Sequence, residues 1–356
     1  MATTTLTIDE ELLGATSISA AEEARDLDYI DCPFLQCQAM VHGEGEPHKS
    51  SGARWIEAFG VGSHSEPTRQ QTGYEQMNLS FKSTIKPLTL TPDEVVFPVG
   101  ISLVEEEMNG GELQTISVAA QRTKKVVAEA KRRFEQYMFQ GPDIDAKVAA
   151  FTGFGHLNGI DTDADGILEE DAHGSQTNTY GGFNKGSYQN VQGAQNNSYD
   201  IGGSFNSGGL DGLISTIIDC EKRSEGSLDG MHVFGSTAAV RNYKMTLQPQ
   251  ERYMSSDTLD GTRMALAVHG KPLYIEHYMP NSGTNTTASE ASFILLDFNA
   301  IYFMWSKVIR NGYFSLSDWV PLGNGYNVRV AQVVVRGQLW VSSWGSSAVL
   351  VNGDTF

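Results

Sequence analysis

The sequence is poor in cysteine and in positive charge, and each shortage excludes a class of protein. Its 356 residues include only three cysteines, Cys32, Cys37 and Cys220, too few for the disulfide framework of a small secreted domain. The Cys32–Cys37 pair has no second pair to complete a structural zinc site. Lys and Arg total 25 against 43 Asp and Glu, which gives a formal net charge of −18 and excludes a globally basic DNA-binding protein.

Long hydrophobic runs are also missing. No stretch approaches the roughly 18 apolar residues that a membrane-spanning helix requires. The first residues, MATTTLTIDEELLG, have neither the basic region nor the apolar core of a secretory signal. We therefore expect a chain that is neither secreted nor bound to a membrane.

No catalytic signature is complete. The segment 202–206 (GGSFN) resembles a nucleophile elbow but ends in Asn206 where the motif requires glycine. The pair Gly270-Lys271 is followed by Pro272 rather than by the Ser or Thr of a phosphate-binding loop. We expect no enzymatic activity and no cofactor.

One segment is basic, although the chain as a whole is acidic. Residues 115–139 (TISVAAQRTKKVVAEAKRRFEQYMF) predict one long helix, because apolar side chains recur there at three- and four-residue spacing. The span holds two acidic residues, Glu129 and Glu135, and six basic ones. The basic residues are Arg122, Lys124, Lys125, Lys131, Arg132 and Arg133. A solvated charged helix is the ordinary interpretation, and a helix that faces an anionic partner is the alternative.

The sequence also predicts a long two-stranded finger. Strand character begins at residues 54–59 (RWIEAF), and residues 76–86 (QMNLSFKSTIK) alternate apolar and polar side chains. The apolar side chains of that alternation are Met77, Leu79, Phe81 and Ile85. Because an isolated hairpin is marginally stable in water, this apolar row requires a covering surface. If no element of the same chain covers it, another subunit must.

The second half of the chain alternates helical and strand patterns. It predicts a helix near 210–218, a buried strand at 231–234, a helix capped by Ser236, and strands at 264–276, 293–304, 327–341 and 348–351. Before it, residues 173–209 are rich in Gly, Ser, Asn and Gln and predict a loop or irregular β excursion. We expect that excursion to decorate the surface or to bridge assembled units.

An acidic segment, residues 161–172 (DTDADGILEEDA), imitates a calcium-binding loop. Asp161, Asp163 and Asp165 occupy alternating ligand positions, and Gly166 supplies the turn. The twelfth position holds Ala172, where a bidentate glutamate belongs. A plain acidic turn is the stronger interpretation, and calcium binding is the alternative.

Two groups of motifs point to a known family. Residues 270–273 (GKPL) run to Met279-Pro280, and residues 294–298 (ILLDF) are followed by 300–302 (AIY). They resemble two strand motifs of the major capsid protein family of tailed bacteriophages. The order of elements over about 54–160 and 209–350 resembles that family too. Its Hong Kong 97-like capsid fold is shared with encapsulins.

The resemblance implies an α+β fold with an N-terminal arm, an extended β-hairpin loop, a peripheral domain with a long spine helix, and an axial domain. The implied boundaries are 1–53 for the arm, 54–92 for the extended loop, 93–160 for the peripheral domain with its spine helix at 115–139, 161–208 for a Gly/Asn/Ser-rich insertion, 209–326 for the axial domain, and 327–356 for strands that close the peripheral domain.

The resemblance also implies a structural protein of the virion capsid, assembled in the host cytoplasm into pentamers and hexamers of an icosahedral head. Met77, Leu79, Phe81 and Ile85 would then cover a neighbouring subunit, and the six basic residues of 115–139 would face packaged double-stranded DNA without reading its sequence. The implied partners are other copies of the chain, a portal, a separate scaffolding protein because only 53 residues precede the loop, and a decoration or cement protein.

Two other functions remain open on the sequence alone. An encapsulin-type nanocompartment shell would share the fold and enclose an enzyme cargo instead of a genome. A secreted calcium-dependent adhesin would account for the acidic turn and the Gly/Asn-rich excursion. The triangulation number and the host are not encoded in any motif.

Overall fold

The computed structural model of the chain describes part of its length. The described residues are 32–42, 49–50, 54–61, 84–108, 117–140, 167–168, 175–177, 179–202, 204–224, 228–251, 266–279, 291–306, 313–322 and 327–353. Most of the predicted N-terminal arm lies outside these residues, as do the finger tip and the aspartates of the acidic segment.

Five α-helices and sixteen strands make up the described part. The helices are α1 Pro33–His42, α2 Leu103–Met108, α3 Val118–Gln140, α4 Phe205–Arg223 and α5 Thr237–Glu251. The strands are β1 Lys49–Ser50, β2 Trp55–Gly60, β3 Ile85–Leu90, β4 Asp93–Ser102, β5 Thr179–Tyr180, β6 Phe183–Asn184, β7 Asn197–Asp200, β8 Met231–Gly235, β9 Leu266–Val268, β10 Lys271–Ile275, β11 Ala291–Asp297, β12 Ile301–Ser306, β13 Ser315–Leu316, β14 Val320–Pro321, β15 Val328–Val341 and β16 Ala348–Val351.

The first sheet is organised around β15. This strand pairs antiparallel with β4 from Val328↔Ser102 to Gly337↔Asp93, and with β12 from Gly337 to Val341. The short strands β13 and β14 also pair with β15, and β1 adds to β12 in parallel. One strand therefore connects the sequence before α3 to segments more than 200 residues later.

The long helix α3 packs on this sheet through aromatic side chains. Phe134 is buried, and its ring lies 4.8 Å from that of Phe303 and 5.3 Å from that of Trp305 (centroid distances). Phe314 closes the cluster at 5.8 Å from Phe134. The helix begins just after Ser117, whose hydroxyl accepts a hydrogen bond from the amide of Ala120 at 3.4 Å, as an N-cap does.

The second sheet has the strand order β7-β16-β11-β8-β10-β9. Helices α4 and α5 cover it, and their buried residues share one core with the sheet. That core includes Leu213 and Ile217 from α4, Val240 and Tyr243 from α5, and Val233, Leu295 and Leu350 from the strands.

Two predicted strands are broken by turns. The predicted strand 293–304 is in fact β11 and β12, which belong to different sheets. Between them, the amide of Asn299 donates to the Asp297 carboxylate at 3.0 Å and the amide of Ala300 to the Asp297 carbonyl at 2.9 Å. An aspartate that bonds its own following backbone in this way forms a tight turn. The predicted strand 264–276 is the β9–β10 hairpin, where His269 and Gly270 both have positive φ (49° and 77°) as a type I′ turn requires.

The arm contains a helix that the sequence did not predict. Pro33 occupies the first position of α1, where its missing N–H costs nothing. The Gln38 side chain bonds both backbone groups of Phe303, donating to the carbonyl at 2.8 Å and accepting from the amide at 3.0 Å. This helix is therefore fixed to β12, and the amide of Phe34 at its start also bonds the buried Glu135 of α3.

The Asn- and Gln-rich excursion has both buried and exposed residues in its described part, so the expected surface decoration stays a prediction. Phe183 is buried and stacks on Trp344 at 5.3 Å. Lys185 is fully buried and donates to the carbonyl of Ile167 at 2.7 Å. The buried Gln176 side chain donates to the carbonyl of Asn196 at 2.8 Å and accepts from its amide at 3.1 Å. Amide side chains are suited to this position because each satisfies a backbone donor and a backbone acceptor.

Each of the two sheets draws strands from several of the predicted segments. Within the segment 327–356, β15 belongs to the first sheet, but β16 lies in the second sheet between β7 and β11. Strand β12, inside the predicted axial segment 209–326, belongs to the first sheet. The boundary at 209 falls inside α4, which starts at Phe205.

We expect Phe134→Ala to lower the free energy of unfolding by about 3–5 kcal/mol, because it removes the ring that joins α3 to β12 and leaves a cavity. Chemical denaturation of the unassembled chain measures this effect. Lys125→Ala, an exposed change on the same helix, should stay within about 0.5 kcal/mol. Equal losses from the two variants would contradict this account of the core.

Candidate assembly and nucleic-acid surfaces

The stem of the predicted finger is present. Strands β2 and β3 pair antiparallel from Trp55↔Leu90 to Gly60↔Ile85. The residues that would extend the finger, 62–83, lie outside the described part of the chain, and with them Met77, Leu79 and Phe81. Of the four residues predicted to cover a neighbouring subunit, Ile85 alone lies in the described part of the chain.

The stem has one covered face and one open face. Trp55, Leu88 and Leu90 are buried against the same chain, and the amide of Thr89 donates to the carbonyl of Gly181 at 2.8 Å. The opposite face carries five exposed residues without charge. They are Ile56, which is 63% exposed, Ile85, which is 64% exposed, Ala58, Gly60 and Pro87. The described residues leave this face of the stem uncovered.

The basic residues of α3 fall into three groups, and Arg122 forms the first. Its guanidinium makes two hydrogen bonds to Glu105 of α2, at 3.0 and 3.1 Å, and one to the carbonyl of Gly100 at 3.1 Å. Glu105 is buried, and Arg122 holds the pKa of this carboxyl below its usual value of 4.5. Arg122 thus joins α3 to the start of α2.

Glu105 has a second role that the sequence signals. The amide of Ser102 donates to the Glu105 carboxylate at 2.8 Å, and the amide of Val104 donates to the Ser102 hydroxyl at 3.3 Å. This arrangement is a capping box, recognisable as Ser-x-x-Glu at residues 102–105. The capping box and the arginine pair are not among the features predicted from the sequence.

The second group consists of Arg132 and Arg133, which share one carboxylate. Glu129 accepts from Arg133 Nε at 2.8 Å and also pairs with Arg132. The i,i+3 and i,i+4 spacings place all three on neighbouring positions of the helix surface. The net charge of these three side chains is therefore about half the charge of the two arginines alone.

Lysines form the third group. Lys124 and Lys125 are exposed, and Lys131 is half-buried with its ammonium 5.9 Å from the ring centroid of Phe314. Among the described side chains of α3, those classed as exposed are Ala120, Lys124, Lys125 and Ala128. All of them lie in its first half, because α1 covers the second half. The open face of α3 is therefore a short basic surface centred on Lys124 and Lys125.

The calcium interpretation stays a prediction. Asp161, Asp163 and Asp165 lie outside the described residues. Within the described ranges, no cluster of three or more His, Cys, Asp or Glu side chains is arranged to hold a metal ion. The helices of those ranges include none that is long and apolar enough to cross a membrane.

The fold is similar to that of solved protein shells. The capsid of an empty GTA particle matches with a TM-score of 0.61 at 12% sequence identity, over 95% of this chain and 95% of that chain. The cyanophage A-1(L) capsid matches with a TM-score of 0.60 at 12% identity, over 95% and 97%. The holo-SrpI encapsulin complex from Synechococcus elongatus PCC 7942 matches with a TM-score of 0.52 at 10% identity, over 93% and 92%.

No protein-family model and no curated sequence matches the chain. At identities of 10–12% the similarity concerns the fold alone. It confirms the predicted α+β, Hong Kong 97-like capsid fold, since the match extends over nearly the whole length of both proteins in each comparison.

The pair between Glu105 and Arg122 generates a pH-dependent prediction. A carboxyl whose pKa is lowered in the folded state stabilises above its unfolded pKa, near 4.5, and that contribution is lost as the pH falls. We expect Glu105→Gln to lower the free energy of unfolding by about 1–3 kcal/mol at pH 7. The difference from the parent should shrink below about pH 4.

Glu106→Gln is the matched control, because Glu106 pairs with Arg329 at 3.0 Å where both side chains are about half exposed. An exposed pair contributes about 0–1 kcal/mol. Thermal unfolding at pH 7 and at about pH 3 distinguishes the two variants. A Glu105 effect that is independent of pH would show that the charge pair is not its source.

Proposed function

We propose that this chain is the major capsid protein of a tailed double-stranded DNA bacteriophage. Many copies form the pentamers and hexamers of an icosahedral head that encloses the genome. The observation that carries the proposal is the fold, which matches two capsid structures over 95% of this chain. The role is structural and non-enzymatic, and the mature location is the virion capsid after assembly in the host cytoplasm.

The open face of the β2–β3 stem supports self-assembly. Covering an isoleucine side chain contributes about 1.5–3 kcal/mol, so Ile56 and Ile85 together favour contact with another molecule. A second copy of the chain is the partner we propose, with the finger 54–92 lying across it and Met77, Leu79 and Phe81 extending the same apolar row. In a closed shell every copy gives and receives this contact, so modest individual contacts add up to a stable particle.

The open basic surface of α3 supports contact with packaged DNA. Lys124 and Lys125 can neutralise phosphates by releasing counterions, which requires no base-specific contact. Arg132 and Arg133 contribute less because Glu129 balances part of their charge, and Arg122 acts mainly within the subunit. The net charge of −18 for the whole chain then disfavours non-specific clustering of the particles.

We propose that the chain has the domain arrangement of the capsid protein family, with each domain built around one of the two large sheets. The first sheet with α3 corresponds to the peripheral domain, and the second sheet with α4 and α5 to the axial domain. The arm remains 1–53, and the finger remains the extended loop. A portal and a separate scaffolding protein are the further partners we propose, and a decoration or cement protein is an additional candidate.

An encapsulin-type shell is the second candidate, because an encapsulin is among the structures that match this fold. The basic surface of α3 favours the capsid, since an enzyme cargo gives no general reason for exposed lysines there. Nucleic acid recovered from nuclease-treated particles supports the capsid, and a protein cargo supports the encapsulin. The adhesin has no support from the fold.

Electron microscopy of the expressed chain tests assembly. We expect capsomer rings or shells from the parent sequence. Ile56→Asp with Ile85→Asp should yield subunits that stay folded but fail to assemble, because two charges replace apolar contacts. Ile56→Val with Ile85→Val keeps the surface apolar and should assemble. Monodisperse, stable monomers from the parent chain would refute the shell function.

DNA binding tests the basic surface. We expect Lys124→Gln with Lys125→Gln to lower the affinity for double-stranded DNA of any sequence. The slope of log K against log salt should fall by about 1 for each lysine. Lys244→Gln, an exposed lysine on α5, is the control for a loss of charge elsewhere. A double variant that binds DNA like Lys244→Gln would exclude α3 as the contact.

A further inference from the structure

Two carboxyl groups meet inside the protein where three elements converge. Glu135 belongs to α3 and is 0% exposed, and Glu276 follows β10 directly and is 1% exposed. The two groups act on each other electrostatically, because the charge of Glu276 adds to burial in raising the pKa of Glu135. The start of α1 covers them, because the amide of Phe34 donates to Glu135 Oε1 at 2.7 Å.

The remaining contacts fix both carboxyl groups in place. Burial, and after it the charge of Glu135, raise the pKa of the Cys32 thiol, which lies near the pair. The amide of Tyr278 donates to Glu276 Oε1 at 3.0 Å. The second oxygens of the two carboxyl groups, Glu135 Oε2 and Glu276 Oε2, are buried and accept no hydrogen bond in the described structure. Two neighbouring buried carboxyl groups are costly to ionise together, so the pair favours holding a proton.

The surroundings do not balance a second negative charge. Cys32, just before α1, and Cys37 on α1 are both affected by the charges of Glu135 and Glu276. Tyr274 of β10 lies next to Cys37, the amide of Tyr278 bonds Glu276, and the side chain of His277 is exposed. On α3, Lys131 acts on Cys32, and Arg132 and Glu129 act on Tyr278. No described cation forms an ion pair with Glu135 or Glu276. Burial raises the pKa of Glu276 to about 7 and the pKa of Glu135 well above its usual value.

We propose that Glu135 and Glu276 form a proton-operated latch that holds α1 against α3 and the end of β10. With one proton the two groups share a hydrogen bond, and Glu135 retains the amide of Phe34. When that proton leaves, two negative charges face each other in a buried site. Release of α1 then admits water to both groups.

The pH dependence has a definite sign. With α1 released, both carboxyl groups titrate near their ordinary pKa of 4.5, whereas in the closed pair burial raises the pKa of Glu276 to about 7 and the pKa of Glu135 well above its usual value. The closed state binds more protons across this interval, so its advantage is greatest below pH 4.5 and falls as the pH rises. One extra proton corresponds to a tenfold change in the equilibrium per pH unit. Closure of α1 should therefore weaken through the range from 4.5 to 7.

Thiol labelling of the full-length chain measures the latch directly. Cys37 is buried on α1, and Cys220 is buried on α4, away from the pair. Burial raises the pKa of each thiol to about 12, so the rate at Cys220 corrects the rate at Cys37 for thiol ionisation. Iodoacetamide labelling followed by peptide mass spectrometry gives the Cys37/Cys220 rate ratio. We expect this ratio to rise at least tenfold between pH 5 and pH 7.5.

Glu276→Gln separates the latch from a general effect of pH. Its neutral amide can donate to the Glu135 carboxylate at any pH, so the ratio should stay low and nearly constant. Glu94→Gln removes an exposed carboxyl and should behave like the parent chain. A flat ratio in the parent would overturn the proposal, as would the same rise in Glu276→Gln. Neither result depends on whether the chain assembles into shells, so both are independent of the proposed function.

Discussion

The structure depends on the pairing of one strand, β15, with four others. Its fourteen residues pair with β4 along one edge and with β12, β13 and β14 along the other. Val333, Val335 and Leu339 are buried in the core where α3 packs. Because β4 precedes α3 and β12 follows the second sheet's β11, this strand joins both layers and the long helix into one body. The arm helix is held on this sheet by the bonds between Gln38 and Phe303. The hairpin stem packs instead on the segment around Gly181 and Phe183.

The arginines of the long helix pair with carboxylates close to them, and these pairs decide which part of the helix surface remains basic. Glu105 takes up Arg122, and Glu129 takes up Arg132 and Arg133. The long helix thus presents two exposed lysines rather than six cations. A surface of this kind suits a partner that is bound for its charge alone, as phosphate groups are. One surface of the long helix is therefore basic although the chain as a whole is strongly acidic.

Polar groups in the interior hold the chain's less regular segments. Buried amides of Gln176 and Asn196 bond backbone groups in a region with little regular secondary structure. Gln38 does the same for the arm helix at β12. A buried polar group that is satisfied fixes one arrangement, because any other leaves it without partners. The Glu135–Glu276 pair is the exception, since its own partner is a proton that solvent can remove.

Local periodicity in the sequence determined the long helix, predicted at 115–139 and present at Val118–Gln140, as well as β15, β16 and the stem of the finger. The sequence specifies these elements locally, because the spacing of apolar residues indicates which face of a helix or strand is buried. The spacing does not indicate which other element buries that face. Only the tertiary structure placed Glu135 under Phe34, 101 residues earlier in the chain, and divided 291–306 between two sheets. It also buried part of a Gln- and Asn-rich segment, including Gln176 and Asn196, where composition indicates a loop. Such outcomes depend on contacts between residues distant in sequence, and no local pattern encodes them.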